Sequence, residues 1–240
     1  MPIDQQLWPT WPVQEDIPPL EEGEVQVWLI PCPAEDLPAA ALPVQDRDRY
    51  ARFGHLGSRR RFAWSRKVLR ELIQAHTGRD PADQVFVFGD HEKPSLPDSD
   101  IFFNLSHSGA YILIAIGREN HGVDIERMER KINLESLARR YFSQPEYAWW
   151  EAQHKEKQAF FKVWTHKESY LKATGQGISI ELAGVDRSPW LAHQQRDEEL
   201  QSFCLEAPGE YEAAITCSRK VRVIRKFTWV TGLGDGPNAD

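Results

Sequence analysis

The chain has 240 residues, a formal net charge of −7 and three cysteines, and is long enough to bury one large core or two compact halves, of which we expect two. The acidic balance disfavours nucleic acid or an anionic membrane as partner. Cys32, Cys204 and Cys217 are far apart with no CxxC, which fits neither a disulfide framework nor a structural zinc site.

"MPIDQQLWPTWP" lacks the basic start and apolar run of a secretory leader, and no later run has the length to cross a bilayer. The expected compartment is the cytoplasm. Residues 1–20 carry five prolines with Trp8 and Trp11 and should form an extended arm pinned by its tryptophans, because proline fits neither helix interiors nor central strands. "EVQVWLI" (24–30) sets Val25, Val27 and Leu29 against Gln26, Trp28 and Ile30, and "QVFVF" (84–88) and "YILIAI" (111–116) are β-branched and aromatic, so all three read as strands. Between them Arg59 to His76 has helical apolar spacing and stops before Gly78.

The second half begins with the strand "GVDIE" (122–126) and the helix "LESLARRYF" (134–142), and Ser143 with Glu146 has the spacing of a capping box. A longer helix follows and ends near Thr174. "FCLE", "YEAAIT" and "VRVIRKFTW" supply strands, and "TGLGDGPNAD" is a polar tail. The expected fold class is α/β (α+β): an arm over 1–20, two similar halves over 21–116 and 117–230, each a small sheet on a prominent helix, and a tail over 231–240.

Strand alternation puts Asp124 and Glu126 on one face. Close carboxylates need a cation or proton between them, and hard ions such as Mg²⁺ prefer oxygen ligands; an exposed strand end pairing with Arg127 or Arg130 explains the same residues. Phe161, Thr165, Glu168 and Lys172 lie along one side of a helix, so Glu168 with Lys172 is either a surface ion pair or part of a charged site. In "FNLSHSG", Ser106 and His107 sit in a polar interruption before a strand; with no GxSxG elbow they suit anion binding better than hydrolysis. Arg52, Arg59, Arg60, Arg61, Arg66, Lys67 and Arg70 circle their helix, as a solvated face would, with one or two available to a phosphate.

Taken in order, "FNLSHSG", "GVDIE", "FSQPEY" and "WTHKESYLKATGQGI" resemble the 4′-phosphopantetheinyl transferases, specifically the larger, monomeric Sfp-type class, over about Arg52 to Ile178. The resemblance implies two α/β halves in a pseudo-twofold arrangement with the active site in the cleft between them. It implies transfer of the phosphopantetheine arm of coenzyme A to a serine of an apo acyl or peptidyl carrier protein, with Mg²⁺ or Mn²⁺. Asp124, Glu126 and Glu168 match the family's metal-binding acids, Lys172 the lysine at the pyrophosphate with Lys167 beside it, Ser106 and His107 the surroundings of the 3′-phosphate, and Lys93 the lysine of a "GKP" segment whose glycine is Glu92 here. Cations before the first-half helix also serve the 3′-phosphate in the family; Arg52 and Arg61 are the candidates in "RFGHLGSRRRF", where Leu56 and Gly57 occupy cationic positions. Glu168 is the expected general base, with Glu126 the alternative. The rival readings are an inactive coenzyme A-binding scaffold, a Mg²⁺-dependent pyrophosphate hydrolase and a nucleic-acid module built on Arg59 to Arg61.

Overall fold

The computed structural model describes residues 10–11, 17–89, 93–128, 132–175, 182–188 and 199–229. Most of the expected arm including Trp8, the acid Glu92, the alternative partner Arg130 and the 231–240 tail lie outside the described residues. The described part is a mixed α+β fold in which two sheets pack face to face and each carries a helix on its outer side.

Strand β2 (Glu24–Pro31) runs antiparallel to β6 (Tyr111–Gly117), which pairs in turn with β5 (Phe102–Ser108). Both faces of β2 are covered, which explains its nearly continuous apolar run. Trp28 and Ile30, with Ile112, Ile114 and Ile116 of β6, pack on Trp64, Val68, Leu69, Leu72 and Ile73 of helix α2 (Leu56–Thr77). Val25, Val27 and Leu29 face the opposite way and meet the second sheet through Val123, Ile125, Ala213 and Ile215. Gln26 joins the first face but is polar; its amide donates to Pro18 O at 3.0 Å, which ties the end of the arm to the body.

The second sheet is β7 (His121–Arg127), β9 (Tyr211–Ser218) and β8 (Leu200–Leu205), all antiparallel, with β9 central. Helix α5 (Lys157–Thr174) lies on its outer face, and α3 (Leu134–Tyr141) and α4 (Gln144–Ala152) cover α5 through Ala138, Phe142, Trp150, Phe160 and Phe161. The capping box at Ser143 and Glu146 is present, each side chain bonded to the other's backbone N–H.

Several elements depart from expectation. The last strand, β10 (Val223–Trp229), expected in the second half, lies parallel to β2 in the first sheet, with the two-residue β1 (Thr10–Trp11) on its far side. Of "QVFVF" only β3 (Val87–Phe88) is strand, paired with β4 (Pro94–Ser95); Gln84 is buried instead, its amide donating to Arg70 O and Arg79 O. The helical stretch between Ser143 and Thr174 is broken, because His154 and Lys155 take left-handed φ of 54° and 57°. The polar "FNLSHSG" is itself strand β5, and helix α1 (Val44–Arg52), for which no expectation was drawn, precedes α2. Among the described residues no helix is long and apolar enough to cross a membrane.

Candidate active site

A cavity of about 710 Å³ opens where β5, β7, α2, α3 and α5 converge, and Ser106, His107, Asp124, Glu126, Glu168 and Lys172 all line it. β5 and β7 belong to different sheets and are joined through the inward side chains of β5. Asn104 Oδ1 accepts from Val123 N at 2.9 Å, Ser106 Oγ donates to Asp124 Oδ1 at 2.7 Å, and Ser108 Oγ donates to Glu126 Oε2 at 2.8 Å while accepting from Arg127 N at 3.0 Å. The alternation that makes this polar ladder also aims His107 the other way, onto the exposed rim. Partial desolvation there lowers the His107 pKa, and the nearby Arg61 and Lys172 push in the same direction.

Gly122 brings α5 close to β7. A Cβ at this position would lie 2.3 Å from both Ala173 N and Ser169 O, so the absent side chain lets the helix backbone rest on the strand. The approach carries Lys172 to Asp124: its Nζ donates to Asp124 Oδ1 at 2.7 Å, Ser106 Oγ at 3.0 Å and Val123 O at 3.1 Å. Lys172 thus turns across to the strand rather than along the helix to Glu168.

Glu168 is buried at the cavity wall, and its pKa is raised to about 7, first by burial and then by the charges of Asp124 and Glu126, with Lys172 opposing. Three acids in one region leave more negative charge than one lysine balances. Asp124 Oδ2 is buried without a hydrogen-bond partner among the described residues. A divalent cation fits this chemistry, since it prefers oxygen ligands and would satisfy the orphaned oxygen, although among the described residues no three such side chains are already drawn around a common point.

Three expected residues are not brought to the cleft. Lys167 is fully buried on another side of α5, where Nζ donates to Glu146 Oε2 at 2.6 Å and to Val185 O. Glu146 also accepts from Ser143 N and Arg187 N, so the pair fastens α4 and the 182–188 segment to α5. Burial works against both charges, raising the Glu146 pKa and lowering that of Lys167. Lys93 lines a second cavity beyond the end of α5, and Arg52 is exposed at the end of α1. Arg61 stands just behind the rim, donating to Gly109 O at 3.2 Å.

Much of the chain is similar to known proteins. A family model described as the 4′-phosphopantetheinyl transferase superfamily matches residues 120–216. The chain is 36% identical over 186 residues to the 4′-phosphopantetheinyl transferase HetI of a Nostoc species, covering 71% of this chain and 78% of that protein. The chain belongs to the 4′-phosphopantetheinyl transferase superfamily. It is also 34% identical over 141 residues to Sfp of Bacillus subtilis, covering 58% of this chain and 62% of Sfp, and 39% identical over 152 residues to gsp of Aneurinibacillus migulanus, covering 62% and 61%.

In this superfamily member, Arg49, which lines the cavity, and Ser108, which bonds Glu126, went unassigned in the sequence, and Arg66 was named there only as one of seven clustered cations. Arg66 follows Phe62 by four positions on α2 and both line the cavity, a spacing that could have identified it. Its guanidinium lies 5.3 Å from the centre of the Phe62 ring and ion-pairs with Asp46, while Nη1 has no hydrogen-bond partner among the described residues. Burial lowers its pKa to about 10, which leaves it charged at neutral pH. Three other arginines of the cluster are engaged within the fold: Arg70 with Asp46, Gln84 O and Pro81 O, Arg60 with Asp36, and Arg59 over the Tyr50 ring.

Proposed function

We propose that the cleft binds coenzyme A with a divalent metal ion and that the protein transfers the 4′-phosphopantetheine arm to a serine of an acyl or peptidyl carrier protein, releasing adenosine 3′,5′-bisphosphate. The observation that carries this reading is the meeting of Asp124, Glu126, Glu168 and Lys172 in one cavity of a chain that belongs to this superfamily.

Asp124, Glu126 and Glu168 would hold Mg²⁺, or Mn²⁺ in its place, and the bound ion would supply charge dispersal on the pyrophosphate oxygens. Lys172 faces the same region and compensates the charge that builds on the departing bisphosphate oxygen as the bond to phosphorus breaks. Glu168 takes the proton of the attacking serine, directly or through a water, and Glu126 is the alternative. Arg66 and Arg49 on the α2 side offer forked donors for a phosphate, and His107 stands at the rim with Arg61 just behind it. These replace Arg52, Lys93 and Lys167 as the cations for the coenzyme A phosphates.

Leu137, Tyr141 and Trp164 form an apolar side wall of the cavity, and Arg139 and Arg140 lie alongside on α3. That combination suits a small acidic helical partner, so the carrier would dock weakly over Leu134 to Trp150. The protein would act as a monomer in the cytoplasm, and its net charge of −7 disfavours a nucleic-acid or anionic-membrane partner. The test is to incubate the protein with coenzyme A, Mg²⁺ and a panel of apo carrier proteins and weigh the products. A gain of one phosphopantetheine arm on a carrier serine is expected; coenzyme A breakdown without carrier modification would favour a hydrolase, and coenzyme A binding with no product would favour a scaffold.

A further inference from the structure

The Lys93 ammonium has three hydrogens to donate, and it has three oxygen acceptors: Asn120 Oδ1 at 3.2 Å, Ala173 O at 3.3 Å and His121 O at 3.4 Å. Ala173 lies in the last turn of α5, where carbonyls have no helical partner and the helix end favours a cation. Asn120 Nδ2 donates to the same carbonyl at 2.8 Å, so Lys93 and Asn120 grip it together. The next residue after His121 is Gly122, where the backbones of β7 and α5 come closest, with Ala173 N among the atoms in the way of a Cβ. Lys93 therefore reaches from the segment before β4 to the junction of the strand that carries Asp124 and Glu126 with the helix that carries Glu168 and Lys172. Burial lowers its pKa to about 8, as expected of an amine enclosed by backbone rather than by a counter-ion.

We propose that Lys93 is a positioning residue, clamping the last turn of α5 to the start of β7 and so fixing the separation of the two sets of cleft residues, and that it is not a ligand of the coenzyme A phosphates. This rests on the transferase reading above. The experiment compares wild type, Lys93→Met, Asn120→Ala and the double variant, measuring carrier modification against coenzyme A concentration together with thermal unfolding. Each single variant should lower kcat by about tenfold or more, as a misplaced site does, with the KM for coenzyme A within about twofold of wild type. The double variant should be no slower than the slower single one, because both act on one carbonyl. A rise in the coenzyme A KM of Lys93→Met with kcat preserved would overturn the proposal, as would an unchanged kcat in Asn120→Ala. If Lys93→Met does not fold, Asn120→Ala decides alone. If wild type modifies no carrier, the transferase reading fails separately, and the clamp is judged by unfolding: non-additive stability losses support it and additive ones overturn it.

Discussion

Gly122→Ala offers a direct test of how the cleft is assembled. The added Cβ would lie 2.3 Å from Ala173 N and Ser169 O and 2.8 Å from Lys172 C, all backbone atoms that cannot rotate aside. Ordinary contact requires more than about 3.4 Å, so strand and helix must part by roughly 1 Å. Overpacking of this kind costs about 1–3 kcal/mol, and the rigid neighbours place Gly122→Ala at the upper end. For a chain of this size about 3 kcal/mol corresponds to a fall in Tm of roughly 6–12 °C. The same displacement draws Lys172 away from Asp124, and a 1 Å error in a catalytic array costs on the order of 100-fold in rate. Scanning calorimetry and a mass-based transfer assay read the two effects, with Gly54→Ala as control because nothing lies within 4 Å of a Cβ there. If Gly122→Ala melted within about 2 °C of wild type and kept its rate within twofold, the close contact of β7 with α5 would not be what sets the site.

Lys167→Met should destabilise the fold by about 3–5 kcal/mol by stranding Glu146 in the interior, with the coenzyme A KM unchanged in the folded fraction; denaturant titration and kinetics check both, and Lys167→Met/Glu146→Leu should regain part of the loss. Ser108→Ala frees Glu126 from its hydroxyl donor and should raise the Mg²⁺ concentration for half-maximal rate by about 10–100-fold, as loss of a supporting hydrogen bond does, while an unchanged Mg²⁺ dependence would remove Ser108 from that role. The buried His121 has its pKa lowered to about 4, chiefly by desolvation, from 6.5. Its unfolded form therefore takes up a proton first, and its contribution is complete above pH 6.5 and lost as pH falls from 6.5 to about 4, by at most roughly 3 kcal/mol. Tm measured across that window should fall more steeply in wild type than in His121→Asn.

Much of the architecture could be read where one physical rule dominated. β2 alternates because its two faces meet different apolar layers, and the Ser143–Glu146 box is a local device complete within four residues. Asp124 and Glu126 could be assigned one face from the strand period alone. Lys167 could not be placed that way, because α5 is buried on several sides and a buried lysine beside Glu168 looks in sequence like a second cleft residue; its partner Glu146 is 21 positions away. β5 read as a polar interruption because its inward side chains bond to β7 instead of filling an apolar core. The break at His154 and Lys155 depends on two non-glycine residues with positive φ, for which the sequence offers no marker. β10 crosses to the first sheet through pairing nearly 200 residues away, from Val223 to Glu24, beyond the reach of any local pattern.

The most direct measurement is the rate at which Glu168→Gln modifies an apo carrier protein, followed by mass under saturating coenzyme A and Mg²⁺, with circular dichroism confirming that the variant is folded. Glutamine keeps the size of Glu168 while removing both its charge and its ability to take a proton. A folded Glu168→Gln protein with transfer reduced by about 100-fold or more is the expected result, as for loss of a general base; a folded variant that modifies the carrier at near wild-type rate would contradict the assignment of this cleft as the catalytic centre.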